Sequence, residues 1–202
     1  MFDDYKNNIN ANLLQTPQSI YSKTEFEKLL GAIYKCYEKM LSDRITLPRN
    51  NENEIRDRLL FDYLNNNSVR AKFELLDFLF DPEVPVNNGR SDIKVQTKDT
   101  FTNTGAYYII ECKRLDGYST LNKEYKKNGI NRFLSGKYPS HHKVNGMIGF
   151  VVKEIDIDAN INKIGNFFNL IEKNRLYDSN NKNLKLYHLM MDFSNNLIVK
   201  KI

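Results

Sequence analysis

Four Asp/Glu-x-Lys triplets occur in the chain, and one of them stands where its side chains could do chemistry. The triplets begin at Asp4, Asp92, Glu111 and Glu124. Only Glu111 follows a run as apolar and β-prone as AYYII, so we expect it to lie in a buried strand. Lys113 would point the same way, because residues i and i+2 of a strand share a face. A carboxylate and an ammonium in such a place need each other, a metal ion or solvent.

A second carboxylate, Asp92, lies nineteen residues before Glu111. Period-two alternation over 91–97 predicts a strand there. The loop at 99–105 is short enough for the two strands to pair as an antiparallel hairpin, which would bring Asp92 beside Glu111. Two adjacent carboxylates repel unless a cation lies between them, and a hard divalent ion is the natural occupant. The alternative is a Glu111–Lys113 pair that satisfies only itself.

This arrangement resembles the PD-(D/E)xK phosphodiesterase superfamily, whose members have the restriction-endonuclease-like fold. The resemblance is carried by Asp92 and by the triplet Glu-Cys-Lys that begins at Glu111. Ser91 stands where the superfamily's name has Pro. The later segments YKKNGINRF and GMIGF are also similar to restriction-type members, so the resemblance covers about 52–153.

The resemblance implies roles for these residues. Asp92 and Glu111 would bind one or two Mg²⁺ ions, with Mn²⁺ as a substitute and the backbone carbonyl of Cys112 as a further ligand. Lys113 would orient the attacking water and stabilise charge on the pentavalent intermediate. The implied activity is that of a metal-dependent endonuclease acting on DNA in preference to RNA, in restriction, phage defence or DNA processing. A structure-selective resolvase and a catalytically silent nucleic-acid-binding module of the same fold are the alternatives.

Members of this superfamily often add an acid from a helix that precedes the hairpin. The acids available there are Glu52, Glu54, Asp57 and Asp62. Glu54 lies three residues after Asn51, where an N-terminal capping role explains it. Glu52 lies on the apolar face that the helix would turn towards the sheet. We therefore expect Glu52 to be the additional acid, although the helix dipole also favours acids at a helix start.

The charge of the chain is unevenly distributed. The net charge is +5, but residues 1–89 carry 11 Lys/Arg and 14 Asp/Glu, whereas residues 90–202 carry 19 and 11. The segment 113–143 has eight Lys/Arg and two acids. A basic segment directly after the candidate catalytic strand suits a polyanionic partner, and a basic solubilising surface is the alternative. The residues that we expect to contact nucleic-acid phosphates are Lys126, Arg132 and Lys137.

The remaining patterns predict an α/β domain. We expect a single domain, residues 1–202. It would consist of a helical N-terminal segment, 1–48, and a restriction-endonuclease-like core, 49–202, in which helices flank a mixed central sheet. Residues 69–80 are ambiguous between helix and strand. One predicted helix begins at the capping box Thr24-x-x-Glu27 and a second begins after Asn51. Two further helices are predicted over 119–134 and 160–173. The predicted strands cover 91–97, 106–112, 147–152, 184–191 and 197–202.

Cellular context follows from what the chain lacks. Cys36 and Cys112 are too few for a disulfide framework. No apolar run reaches the roughly 18 to 20 residues of a membrane span, and the first ten residues lack the apolar segment of a secretion signal. We therefore expect a cytoplasmic protein without a membrane partner. Double-strand cutters are often symmetric dimers, which leaves a homodimer open.

Overall fold

A computed structural model describes residues 17–86, 89–138, 143–181 and 184–198, with side chains from residue 24 onward. Within this part of the chain a seven-stranded mixed sheet is flanked by helices, which confirms the predicted α/β class and the helical N-terminal region. The helices are α1 (Pro17–Ser42), α2 (Glu52–Leu59), α3 (Asn67–Lys72), α4 (Ser119–Tyr125), α5 (Asn131–Leu134) and α6 (Ile157–Ile164). The strands are β1 (Leu79–Pro82), β2 (Pro85–Val86), β3 (Gly89–Arg90), β4 (Ile93–Gln96), β5 (Tyr107–Leu115), β6 (Val144–Val151), β7 (Asn169–Glu172), β8 (Leu176–Asn181) and β9 (Leu184–Asp192).

The strand order in the sheet is β1-β4-β5-β6-β9-β8-β7. The predicted hairpin is confirmed, since β4 and β5 pair antiparallel with Ile93 opposite Ile110. On its other side β5 pairs with β6 in parallel, and α4 and α5 form the crossover between them. This connection places a helical segment next to the strand that carries the acid–lysine triplet.

Strand β5 lies between two hydrophobic cores. Tyr108 and Cys112 pack into the cluster that contains α1 and α2, whereas Ile109 packs into the cluster that contains α4, α5 and α6. Alternate residues of a strand face opposite sides. Glu111 and Lys113 therefore lie on the side of α4 and α5.

The first helix begins earlier than the capping box predicts. It starts at Pro17, so that Thr24 lies inside the helix. Proline is well tolerated in the first turn, where its missing N–H would have no helical partner. The Phe26 ring lies 4.8 Å from the ring of Tyr108, centroid to centroid. Helix α1 thus packs into the same core as the central strand.

The helix predicted at 160–173 is wrong in its second half. Asp156 caps the N-terminus of α6, and the helix ends at Gly165. A Cβ at Gly165 would lie 2.1 Å from the Phe167 ring, so this glycine lets the ring fold back against the chain. Residues 169–172 then form the edge strand β7, and β8, which the sequence did not predict, pairs with it.

The sequence left segment 69–80 ambiguous and predicted a strand over 197–202. The ambiguous segment 69–80 contains the end of α3 and the start of β1. Of the strand predicted at 197–202, Leu197 forms a single bridge with Leu47, and residues 199–202 lie outside the described part of the chain. In that described part, no helix combines the length and the apolar character needed to cross a membrane.

Candidate active site

Asp92 is held against the backbone of the acid–lysine triplet. It immediately precedes β4, which begins at Ile93 and is shorter than predicted. The Cys112 N–H donates to Asp92 Oδ2 at 2.7 Å, and Arg56 Nη1 lies 3.3 Å from Oδ1. The Asp92 side chain is 17% exposed, because the hairpin and α2 cover it from two sides.

Glu111 lies in the interior of β5 and is fully buried. Arg132 Nη1 donates to its Oε1 at 2.6 Å, and the Tyr138 hydroxyl lies 2.7 Å from its Oε2. Burial, and then the neighbouring charge of Asp92, raise the pKa of Glu111 to about 7, against the opposing effects of Lys113, Tyr138 and Arg132. Sequence reasoning did not identify Tyr138 as a site residue.

The ammonium of Lys113 lies at the centre of the site. Its Nζ is 2.6 Å from the Cys112 carbonyl oxygen, 2.9 Å from Glu52 Oε1, 3.1 Å from Glu111 Oε1 and 3.6 Å from Asp92 Oδ2. Burial by itself lowers the pKa of Lys113, but the three carboxylates outweigh it and hold this pKa above its ordinary value. Lys113 is therefore a buried cation that neutralises the surrounding acids.

Glu52, the first residue of α2, reaches the site as the helical face predicted. Besides its contact with Lys113, its Oε2 accepts a hydrogen bond from the Arg114 N–H at 2.9 Å. Glu54 is exposed, and its backbone N–H donates to Asn51 Oδ1 at 3.1 Å. The two acids thus separate as expected, one towards the strand and one into the helix cap.

A glycine lets the crossover helix approach the site closely. Gly129 lies in the π-helical turn Lys126–Ile130 that joins α4 to α5. A Cβ there would lie 2.2 Å from Met147 Cε on β6, and 3.6 Å from Cγ of Lys113. The absence of a side chain at Gly129 thus allows this turn to pack directly against β6.

A cleft of about 290 Å³ opens beside the ammonium. Its cationic lining is formed by Lys113, Arg114 and Arg132, and Glu52, Glu124 and Asn128 contribute polar groups. The cleft lies between α2 and α4, and of the three site acids only Glu52 lines it.

The structure places Arg132 differently from the sequence prediction. It was expected to contact phosphates on the protein surface. Instead its guanidinium binds Glu111 and also donates to the Tyr138 hydroxyl at 2.8 Å, and its side chain is 30% exposed. Arg132 is therefore a member of the site, bordering the cleft.

The other two predicted phosphate contacts do not line the cleft beside Lys113. Lys126 is exposed, 5.4 Å from the centre of the Phe167 ring, and borders a second cleft of about 410 Å³ with Lys123 and Lys163. Lys137 is partly buried, and its side chain packs along Gly89. These lysines and Arg132 do not share one cleft.

The predicted metal ligands are present but surround an ammonium. Among the described residues no group of three or more His, Cys, Asp or Glu side chains is arranged to hold a metal ion. The oxygens of Asp92, Glu111 and the Cys112 carbonyl, together with Glu52, contact Lys113 Nζ instead. Carboxylate and carbonyl oxygens are the donors that a hard divalent ion prefers. These oxygens are therefore the donors that such an ion would meet in place of Lys113, with Arg132 and Tyr138 still bound to Glu111, and the Mg²⁺ or Mn²⁺ site stays a prediction.

No family model, no curated protein and no solved structure matches this chain. The arrangement of its own side chains is therefore what bears on function.

Proposed function

We propose that this protein is a metal-dependent nuclease of the PD-(D/E)xK type, with a restriction-endonuclease-like core, that hydrolyses phosphodiester bonds in DNA. The observation that carries the proposal is the meeting of Asp92, Glu111 and the Cys112 carbonyl around one cation, Lys113. A pair that satisfied only itself would need no more than Glu111 and Lys113. The convergence of Asp92 from the hairpin and Glu52 from α2 on the same ammonium favours a functional cluster.

The oxygens of Asp92, Glu111 and Cys112 would hold Mg²⁺, with Glu52 as an additional carboxylate. When bound, the ion supplies a Lewis acid that lowers the pKa of a water molecule and neutralises the attacked phosphate. A phosphodiester has no easy leaving group, so its hydrolysis depends on electrostatic stabilisation. The cluster supplies oxygen ligands and cations within a small, mostly buried volume.

The protein's own cations would act on the substrate. Lys113 would orient the attacking water and stabilise charge on the pentavalent phosphorus. Arg114 and Arg132 border the same cleft, where their guanidinium groups can bind phosphate oxygens. A phosphodiester in this cleft would lie beside Lys113 and Glu52.

Plasmid nicking tests the proposal. The purified protein should nick supercoiled DNA with Mg²⁺ or Mn²⁺ and lose that activity with a chelator, and it should cleave RNA more slowly. The Glu111→Gln variant, which removes one charge without changing side-chain shape, serves as the matched control for contaminating nucleases. A protein that cleaves no DNA or RNA with either metal would overturn the proposal.

The observation that favours a second candidate is the ion pairing within the site. Lys113 and Arg132 already neutralise Glu111, as they would in a catalytically silent nucleic-acid-binding module. Such a module would retard DNA in a gel without nicking it under any metal condition. The same experiment therefore separates the two functions.

A further inference from the structure

The Lys113 ammonium is enclosed by oxygens from four different residues. Three lie within hydrogen-bonding distance, namely the Cys112 carbonyl at 2.6 Å, Glu52 Oε1 at 2.9 Å and Glu111 Oε1 at 3.1 Å. Asp92 Oδ2 completes the group at 3.6 Å. The side chain is 11% exposed, so solvent contributes little to the neutralisation of these acids.

These are the oxygens that the proposed function assigns to the metal. A divalent ion coordinated by these oxygens would take the position among them that Lys113 Nζ now occupies. The ammonium must therefore leave that position before the ion can bind. We infer that Lys113 is a resident cation that holds the metal-free site together, and that a divalent metal binds by displacing it. This inference rests on the proposed function.

The structure offers a place for the displaced ammonium. Lys113 already lines the 290 Å³ cleft, whose wall includes Glu124 and Asn128. A lysine has a flexible four-carbon stem and three donors, so its ammonium can turn into this cleft. Metal binding would thus move Lys113 to the side from which a phosphate enters.

Calorimetric titration with Mn²⁺ in the absence of nucleic acid tests the displacement. Lys113→Met keeps an unbranched side chain of similar length and removes its charge. It should bind Mn²⁺ about tenfold more tightly or better than the wild type, because the competing cation is gone. Lys98→Met, which removes the same charge from an exposed pair with Asp77, should bind like the wild type. Equal or weaker binding by Lys113→Met would overturn the inference.

A measurement on the wild type covers the case in which Lys113→Met fails to fold. The protein is treated with an amine-acylating reagent with and without saturating Mn²⁺, and the modification of Lys113 is followed by peptide mass spectrometry. Lys113 should be acylated faster with Mn²⁺ present, because outside the carboxylate cluster it loses its proton more easily and the free amine reacts, while Lys98 reacts at an unchanged rate. Unchanged labelling of Lys113 at a Mn²⁺ concentration that saturates the protein would overturn the inference.

The two failures are distinguishable. If the wild type binds Mn²⁺ and nicks DNA but neither test shows displacement, the inference is wrong and the proposed function stands. If the wild type neither binds Mn²⁺ nor cleaves nucleic acid, the proposed function is wrong and the inference falls with it.

Discussion

Glu111 is the most deeply buried of the three acids in the site, which decides how its role can be tested. It is fully buried, and Arg132, Lys113 and Tyr138 all contact its two oxygens. Truncation to alanine would leave these groups without their common partner, and an unpaired buried charge is costly. A loss of activity in Glu111→Ala would therefore mix chemistry with unfolding.

Isosteric variants separate the two effects. Glu111→Gln and Asp92→Asn should each lower the nicking rate by about a hundredfold or more while the fold is retained, because only the charge is removed. Initial rates on plasmid DNA give the activity, and far-ultraviolet circular dichroism checks the fold. Wild-type activity in folded Glu111→Gln would refute the assignment of this residue.

The two acids at the start of α2 should behave oppositely. Glu52→Gln should lower the nicking rate, since its carboxylate contacts Lys113 and the Arg114 N–H. Glu54→Gln should leave the rate unchanged and cost about 1 kcal/mol or less in the free energy of unfolding, because Glu54 belongs to the exposed helix cap. Nicking assays and urea denaturation of both variants provide the comparison. Equal nicking rates in the two variants would show that the Glu52 carboxylate does not contribute to catalysis.

At the scale of elements, three segments position the cluster. The β4–β5 hairpin sets Asp92 against the Cys112 N–H, α2 supplies Glu52, and the crossover from α4 to α5 supplies Arg132. Both helical segments contain a π-helical turn, Leu60–Leu64 after α2 and the turn at Gly129 in the crossover. Such turns often occur near functional sites.

A buried histidine links the crossover helix to the far strands of the sheet. His188 on β9 is fully buried, with Nδ1 3.0 Å from the Tyr125 hydroxyl and Nε2 2.9 Å from Ser179 Oγ. Burial lowers the pKa of His188 to about 3, a shift that the charge of Asp178 opposes. The histidine is therefore neutral in the folded protein at ordinary pH and packs α4 against β8 and β9.

This histidine should make the fold acid-sensitive. The pKa of an unfolded histidine is about 6.5, so between that pH and about 3 the unfolded state binds one proton more than the folded state. The contribution to stability is complete above pH 6.5 and is lost as the pH falls, by up to about 1.4 kcal/mol per pH unit. Urea denaturation at several pH values should show a shallower pH dependence for His188→Gln than for the wild type. Parallel curves would contradict the prediction.

At the scale of the whole molecule, the positive charge of residues 90–202 is divided among separate places. Arg132 is committed to Glu111, whereas Lys123, Lys126 and Lys163 border the 410 Å³ cleft. Substitution of Arg132 would disturb the site as well as any phosphate contact. The exposed lysines of the crossover helix therefore provide the cleaner test of nucleic-acid binding.

The affinity for duplex DNA should depend on these lysines through salt. Replacing Lys123 and Lys126 together by Gln should make the log–log salt dependence less steep by about two units, since each lost phosphate contact removes about 0.9. Fluorescence anisotropy in a chelating buffer measures this without cleavage. The matched control replaces Lys28 and Lys35, both exposed on α1, and should leave the slope unchanged. An unchanged slope in the Lys123/Lys126 variant would indicate that the basic residues of 90–202 form a solubilising surface instead.

The features that the sequence predicted correctly depend on short-range rules. The alternation of the hairpin strands, the short loop between them and the helical face of Glu52 are set by residues close together in the chain. The same holds for the cap at Asn51. From these rules the sequence predicted that Asp92, Glu111 and Glu52 lie close together, although the function of that cluster stays a prediction.

Tertiary packing decided what the local patterns left open. The sequence predicts residues 169–172 as the end of a helix, but pairing with β8 makes them the strand β7. Arg132 and Tyr138 reach Glu111 from positions 21 and 27 residues later in the chain, through the end of α5 and the turn after it. No local periodicity specifies those orientations, because these contacts form only when the crossover helix packs on β5 and β6. For the same reason the position of Lys113 among four oxygens follows from the convergence of α2, the hairpin and the strand rather than from its triplet alone.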